Sequence, residues 1–191
     1  MKKFKQVWTY LCFLRILPAY VFLKTNRFRD KCQKDLKAWV KHYGSVEKNN
    51  GFWQFGYLLI NEKETRNIFL NRLHRNPVMF FVTRLLFKPL DSLYINMPPE
   101  NIGGGLVFQH GFSTIIAAKT IGENCKFFQQ VTVGYNGEKA PIICDNVTVC
   151  AGAIVIGDVH VGSDATIGAG AVVTKDVITG TTVVGVPARQ I

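Results

Sequence analysis

The sequence predicts an α+β fold, in which an N-terminal α-helical subdomain precedes a left-handed parallel β-helix made of hexapeptide repeats. Two observations carry this prediction: a six-residue register in the last third of the chain, and helical spacing of apolar residues in the first half. A strict period of six fits neither an α-helix, with a period of about 3.6, nor an amphipathic strand, with a period of about 2. A parallel β-helix produces it, because each hexad forms one short strand and one corner.

The register places one aliphatic residue in every hexad, at Ile143, Val149, Val155, Val161, Ile167 and Val173. Four places after each of these lies a small or β-branched residue: Val147, Ala153, Val159, Ala165, Ala171 and Val177. Because three hexads make one coil, we expect the aliphatic side chains to point inward and to stack in columns, with Ile143 beneath Val161. A looser form of the register extends upstream through Ile115, Ile121, Phe127 and Val133.

A loop interrupts the register between Val133 and Ile143, which are ten residues apart. The four extra residues fall in the segment 134–141, which is rich in turn formers. Loops that leave one corner of a solenoid often carry its function. The alternative is a tolerated surface insertion.

Charge is distributed unevenly along the 191 residues, whose net charge is +10. Residues 1–95 hold 18 Lys and Arg against 6 Asp and Glu, whereas residues 96–191 hold 5 against 7. A basic region can meet nucleic acid, anionic lipid or phosphorylated substrates. No zinc-finger spacing, ribonucleoprotein aromatic motif or helix-turn-helix pattern is present, so we expect no nucleic-acid partner.

The first residues form an apolar run from Val7 to Leu14, flanked by lysines and by Arg15. Pro18 interrupts the segment after Arg15, and no small-x-small cleavage site of a signal peptide appears. No stretch is both long enough and free enough of charged residues to span a bilayer. Two interpretations stay open: a segment lying peripherally on the inner face of a membrane, or aromatic residues that pack into the helical subdomain or a subunit interface. The five cysteines lack paired or metal-ligand spacing and indicate reduced thiols in a cytoplasmic protein.

Helical spacing predicts three helices in the first half. One covers residues 28–43 and stops at Gly44. The second begins at Asn61, with Glu64 as its capping-box partner, and ends before Asn76. The third runs from Pro77 to Phe87. We therefore divide the chain into a helical subdomain (1–94), a β-helix domain (95–178) and a C-terminal tail (179–191).

His110 is the candidate general base, because an imidazole with an unperturbed pKa of about 6.5 can take up and return a proton near neutral pH. The alternative is a histidine that only occupies a corner. His42 and His74 are expected at solvated helix ends, and His160 on an outward corner. No two histidines have the spacing of a zinc site, so we expect no metal.

Residues 102–191 resemble the serine acetyltransferase branch of the hexapeptide acyltransferases. The matching stretches are Ile102-Gly103-Gly104-Gly105, His110-Gly111, Phe128-Gln129-Gln130-Val131-Thr132-Val133-Gly134, Ala151-Gly152-Ala153, Ile167-Gly168-Ala169-Gly170-Ala171-Val172-Val173-Thr174-Lys175-Asp176-Val177 and Val184-Gly185-Val186-Pro187-Ala188-Arg189. The resemblance implies acetyl-CoA as donor, a homotrimer, and active sites between neighbouring subunits. Whether trimers pair through the helical subdomain is left open.

The resemblance also assigns expected roles to residues. His110 matches the catalytic base of the family. Positions that line the pantetheine groove correspond to Ala151, Gly152, Ala169 and Gly170. Lys175 and Arg189 match positions near the nucleotide end, where cations favour phosphate, so the tail is expected to complete the coenzyme site.

Three departures from the family pattern affect the acceptor site. Ile95 stands where an aspartate orients the base, and Gln109 stands where an aspartate helps to hold the amino acid. Lys139-Ala140 replaces an Arg-His pair that meets the carboxylate and hydroxyl of serine. A zwitterionic acceptor loses ionic partners at these positions, which commonly costs several kcal/mol in a desolvated pocket.

From these departures the sequence favours an O-acetyltransferase acting on a sugar hydroxyl, in small-molecule or lipid-linked form, during surface polysaccharide synthesis. Gln109, Tyr135, Asn136 and Lys139 would hydrogen-bond that acceptor. The first alternative is serine O-acetylation in cysteine biosynthesis. The second is a non-catalytic β-helix scaffold.

Overall fold

The structure is a computed structural model that describes residues 2–44 and 51–191, with side chains from residue 14 onward. It confirms the predicted fold class: helices followed by a left-handed parallel β-solenoid. The helices of the described residues are α1 (Lys2–Thr25), α2 (Arg29–Tyr43), α3 (Gly51–Asn61), α4 (Lys63–Leu73) and α5 (Pro77–Leu86).

Two of the predicted helices are confirmed together with their end signals. Helix α2 ends at Gly44, whose φ of 53° lies in the left-handed region and whose N–H donates to the Val40 carbonyl. Helix α5 begins at Pro77, and the Asn76 side chain accepts a hydrogen bond of 3.0 Å from the Met79 N–H. Proline suits this first position because its missing N–H is not needed there.

The predicted start of the second helix is wrong. Asn61 is the last residue of α3, and its side chain donates to the Tyr57 carbonyl at 2.8 Å. Helix α4 begins at Lys63, and Glu64 makes no capping box because its carboxylate accepts a hydrogen bond from the solenoid instead. Pro18 does not interrupt the first segment either, since α1 continues through it to Thr25.

The solenoid has three faces of short parallel strands. The first face, in spatial order, contains β1 (Leu93–Ile95), β3 (Thr114–Ile116), β6 (Thr132–Gly134), β9 (Ile154–Ile156) and β12 (Val172–Val173). The second contains β4 (Thr120–Ile121), β7 (Ile142–Ile143) and β10 (His160–Val161). The third contains β2 (Val107–Gln109), β5 (Lys126–Phe128), β8 (Thr148–Val149), β11 (Thr166–Ile167), β13 (Thr182–Val184) and the antiparallel β14 (Arg189–Gln190).

The inward columns confirm the predicted stacking. Ile143 pairs with Val161, and the Val149–Ile167 and Val155–Val173 pairs stack in the same way. These side chains are almost completely buried. The columns therefore form one continuous hydrophobic core along the prism.

The upstream register slips at one position. Ile115 is 45% exposed, whereas Ile116 is fully buried and pairs with inward Val133, so the expectation of an inward Ile115 is wrong. Ile116 and Ile121 are only five residues apart, because this corner is one residue shorter than the regular repeat. Val177 was expected at a corner but pairs with inward Val161, since the last coil is also shortened.

The helical subdomain packs on the start of the solenoid through α2 and α4. The Trp39 indole is buried and donates to the Leu106 carbonyl at 2.8 Å. Gly104 allows the closest approach: a Cβ atom there would lie 2.8 Å from Lys34 Cβ and 3.2 Å from Lys31 Cα. Together these contacts lay α2 along the start of the solenoid, with Trp39 next to the beginning of β2.

Gly104→Ala should therefore destabilise the protein by about 1–3 kcal/mol, the usual cost of overpacking. Helix α2 would have to move away from the solenoid. Urea unfolding followed by circular dichroism measures the change, with Gly134→Ala as the control, because the nearest heavy atom to a Cβ at that position, Thr132 Cγ2, lies 3.9 Å away. Neither Gly104 nor Gly134 has a positive φ, so the two variants differ in overpacking and not in backbone strain. Equal losses for both variants would contradict the close-approach argument.

Candidate active site

His110 lies exposed immediately after β2. Its φ of 54° is in the left-handed region, which is uncommon for a residue with a side chain and is often found at functional sites. A tight turn comes next, in which the Phe112 N–H donates to the His110 carbonyl at 2.6 Å. The backbone thus turns at His110 and presents its side chain at a corner of the prism.

Helix α4 fixes the loop after His110. Glu64 Oε1 accepts a hydrogen bond of 3.1 Å from the Gly111 N–H. A Cβ on Gly111 would lie 3.1 Å from Glu64 Cγ and 3.2 Å from side-chain atoms of Leu93 and Phe108, so only glycine fits comfortably. A carboxylate of the helical subdomain therefore contacts the residue that directly follows the candidate base in the chain.

His42, at the end of α2, lies in the same region. Burial lowers the pKa of His42, and the nearby charges of Lys126 and His110 lower it further, whereas Glu62 opposes the shift. The His42 imidazole is therefore neutral at pH 7 and can donate or accept a hydrogen bond. Helical spacing placed His42 at a solvated helix end. His42 does lie in the last turn of α2, but its side chain is half-buried rather than fully solvated.

Glu62 and Tyr43 form a second polar contact at this junction. The Tyr43 hydroxyl donates to Glu62 Oε2 at 2.7 Å, and burial, together with this carboxylate, raises the pKa of Tyr43. The hydroxyl therefore stays protonated and keeps Glu62 in place.

Lys126 reaches the junction along β5. In the strand register, Val107 lies beside Lys126 and Gln109 beside Phe128. Lys126 Nζ lies 4.8 Å from the centroid of the Phe128 ring, so the side chain extends along the strand toward the end that carries Gln109. His42 and Lys126 line one groove of about 800 Å³ between α2 and the solenoid. We call the set His42, Tyr43, Glu62, Glu64, Gln109, His110 and Lys126 the junction site.

The predicted pantetheine-groove residues follow strands of the same face as His110. Ala151-Gly152 begins two residues after the end of β8 and Ala169-Gly170 two residues after the end of β11, whereas His110 comes directly after the longer β2. The Gly170 N–H donates to the Ala151 carbonyl at 2.9 Å, and the Gly152 N–H donates to the Gln129 carbonyl at 3.0 Å. Strand spacings of about 4.8 Å put Ala169 roughly 14 Å from His110 along this edge. We call this row of strand ends the histidine edge.

The histidine edge offers room for an extended ligand. Gly152 and Gly170 have φ values of 69° and 67°, and no heavy atom lies within 4 Å of a Cβ placed on Gly170. The side-chain oxygen of Gln129 is buried and has no hydrogen-bond partner among the described residues. A donor group of a ligand could satisfy it.

Lys175 and Arg189 lie together at the C-terminal end of the prism. Both line a pocket of about 450 Å³ that also includes Asp176. Both cations are exposed. Two exposed cationic heads in one pocket suit a phosphate group.

The residues of the predicted acceptor loop lie on another edge. The Asn136 and Lys139 backbones pair with each other, and the Lys139 ammonium forms an ion pair of 3.0 Å with Asp158. Tyr135 is 55% exposed. Among the described residues, no hydrogen bond or ion pair joins this loop to His110 or Gln109. Only Gln109, of the four predicted acceptor residues, adjoins His110 within one chain.

Other expectations concern metals, thiols and membranes. The described residues contain no group of three His, Cys, Asp or Glu that could hold a metal ion. Burial raises the pKa of Cys32 and of Cys125 to about 12, so both thiols stay protonated. No helix within the described part of the chain is long and apolar enough to cross a bilayer. Cys12 lies outside the described side chains.

Comparison with known proteins gives consistent matches. The family model for the bacterial transferase hexapeptide (six repeats) matches residues 140–175. A serine acetyltransferase of Helicobacter pylori strain J99 is 40% identical over 126 residues, covering 62% of this chain and 73% of that protein. One of Synechococcus elongatus is 39% identical over 122 residues, covering 61% of this chain but only 50% of its own length. The solved structure of Neisseria gonorrhoeae serine acetyltransferase in complex with serine has a TM-score of 0.59 and 28% identity, covering 87% of this chain and 70% of that chain.

Proposed function

The chain belongs to the serine acetyltransferase family, and on that premise we propose that it transfers an acetyl group from acetyl-CoA to the hydroxyl of L-serine. The observation that carries the proposal is the histidine edge, where His110 and the small residues after β8 and β11 lie at the ends of strands of one face. An extended thioester arm along that edge would bring its carbonyl carbon to the imidazole.

The reaction needs one acyl transfer and two proton transfers. His110 takes the proton from the serine hydroxyl as its oxygen attacks the thioester carbonyl carbon. The tetrahedral intermediate then expels the CoA sulfur, which takes the proton back from His110, and the C–S bond is exchanged for a C–O bond. No enzyme-bound acyl intermediate is required, because the thioester is already activated.

The remaining donor roles are inferred from position. Ala151, Gly152, Ala169 and Gly170 would allow close approach of the pantetheine arm. Lys175 and Arg189 would bind phosphate at the nucleotide end. We also propose a trimer. The loop with Tyr135, Asn136 and Lys139 lies on a different edge of the prism from His110, so it could reach only the His110 of a neighbouring subunit.

Serine replaces the sugar hydroxyl as the preferred acceptor. The sugar hypothesis rested on the departures at Ile95, Gln109 and Lys139-Ala140. The relatives reported above are serine acetyltransferases, and none of their names refers to polysaccharide synthesis. Charges of both signs at the junction site also suit a zwitterion better than a neutral sugar.

An acceptor panel tests this proposal. The protein is incubated with acetyl-CoA and either L-serine, UDP-sugars or lipid-linked sugars, and thiol release and product mass are monitored. We expect O-acetylserine with L-serine and at least tenfold less thiol release with the other acceptors. Preferential acetylation of a sugar would restore the sugar hypothesis. Absence of turnover with every acceptor would support the alternative of a non-catalytic β-helix scaffold.

A further inference from the structure

Charges of opposite sign come from two elements at the junction site. The Glu64 carboxylate, in the first turn of α4, accepts a hydrogen bond from Gly111, the residue after His110. The Lys126 ammonium extends along β5 toward Phe128, which lies beside Gln109, the residue before His110. We propose, on the basis of the proposed function, that Glu64 binds the ammonium group of the acceptor and Lys126 binds its carboxylate.

Glu64 is suited to an ammonium group because its side chain is half-buried and part of its hydrogen-bonding capacity is unused. Among the described residues, its one hydrogen bond is that from the Gly111 N–H to Oε1. A carboxylate offers about four lone-pair sites, so Oε2 stays available for a further donor. Glu62 is less suited, because its Oε2 already accepts the Tyr43 hydroxyl.

Lys126 is a cation of the groove that extends toward Gln109 and remains available. Within the described residues it forms no ion pair, and its head is positioned over the Phe128 ring. Lys139, the loop cation expected from the sequence, is already paired with Asp158. Lys34, which lines the same groove, is paired with Glu123.

These two residues account for the departures from the family pattern. Gln109 removes a carboxylate next to the base, and Glu64 supplies one from α4 that contacts the very next residue, Gly111. Lys139-Ala140 removes a cationic clamp, and Lys126 supplies a cation from β5. The zwitterion partners have thus moved to new positions in the chain, while the substrate class is unchanged.

The test removes one charge from the protein and the matching charge from the acceptor. Glu64→Gln keeps an oxygen acceptor for the Gly111 N–H, and Lys126→Met keeps an apolar stem over Phe128. L-serine is compared with 3-hydroxypropanoate, which lacks the ammonium group, and with 2-aminoethanol, which lacks the carboxylate. Where turnover is too slow, the analogues are measured as inhibitors of serine acetylation.

Each variant should lose 10- to 100-fold in kcat/KM for L-serine, mainly through KM, with KM for acetyl-CoA unchanged. Glu64→Gln should no longer prefer L-serine over 3-hydroxypropanoate, and Lys126→Met should no longer prefer it over 2-aminoethanol. Glu100→Gln and Lys119→Met are matched controls on distant exposed residues and should leave all preferences intact.

Equal losses for L-serine and for the matching analogue would mean a purely structural role and would overturn the inference. Wild-type protein that does not acetylate L-serine would instead refute the proposed function. The two failures are therefore separable, because the second appears before any variant is made.

Discussion

Replacing His110 with alanine should lower kcat by about 10²- to 10⁴-fold, the usual contribution of a positioned general base. The hydroxyl of the acceptor would have to ionise without help as it attacks the thioester. CoA affinity should be unchanged, because the proposed coenzyme contacts lie two or more coils away, at Gly152, Gly170 and Arg189. Steady-state kinetics with L-serine and calorimetric titration with CoA measure the two quantities.

His160→Ala is the matched control, since His160 is an exposed solenoid histidine on β10, on another face, next to Cys144. It should keep wild-type kcat. Retained activity in His110→Ala would remove the base assignment, and a parallel loss of CoA binding would indicate that the corner itself had collapsed.

The solenoid could be predicted from sequence because each strand and corner is specified by residues that are close together in the chain. Each hexad contributes one inward residue, so the period alone locates Val149, Val155 and Ile167 in their columns. The prediction failed where a corner is shortened, at Ile115 and Val177. A one-residue slip turns the strand over at Ile115, and the last coil is two residues short, since Val161 pairs with Val177. Nothing in the local sequence marks the missing residues.

The junction site could not be predicted in the same way. Glu64 and His42 are charged or polar residues at helix ends, where solvation is the default expectation. Their positions depend on α2 and α4 packing against β2, more than 40 residues further along the chain. The one usable signal was the triple glycine 103–105, which indicates close approach of another element. It does not say which element approaches.

Arg72→Met should destabilise the fold by about 3–5 kcal/mol, the usual cost of breaking a buried ion pair. The Arg72 side chain is 1% exposed, and it donates to Asp35 at 2.9 Å and to the Ile102 carbonyl at 3.0 Å. Asp35 in turn accepts hydrogen bonds from the Gly105 and Leu106 N–H groups at 2.8 and 3.0 Å. Removing the guanidinium leaves a buried carboxylate without its cation, at the contact that joins α2 and α4 to the solenoid.

The loss should depend on pH in a defined direction. Burial raises the pKa of Asp35, and the Arg72 cation opposes this. Without Arg72 the folded-state pKa rises further above the unfolded value of about 3.9. A raised carboxyl pKa contributes stability that is present below the unfolded value and is lost as pH rises through the folded value. Arg72→Met should therefore be less destabilised at pH 5 than at pH 8 in urea unfolding monitored by tryptophan fluorescence.

Two further variants separate charge from packing. Arg75→Met removes an exposed arginine that pairs with Glu100, and it should change stability by less than about 1 kcal/mol. Asp35→Asn in the Arg72→Met background removes the uncompensated charge while keeping a side-chain oxygen for the Gly105 and Leu106 N–H groups. It should recover part of the lost stability at pH 8 and abolish the pH dependence. If the double variant kept the pH dependence, Asp35 would not be its source, and the joint between the helices and the solenoid would depend on packing more than on this ion pair.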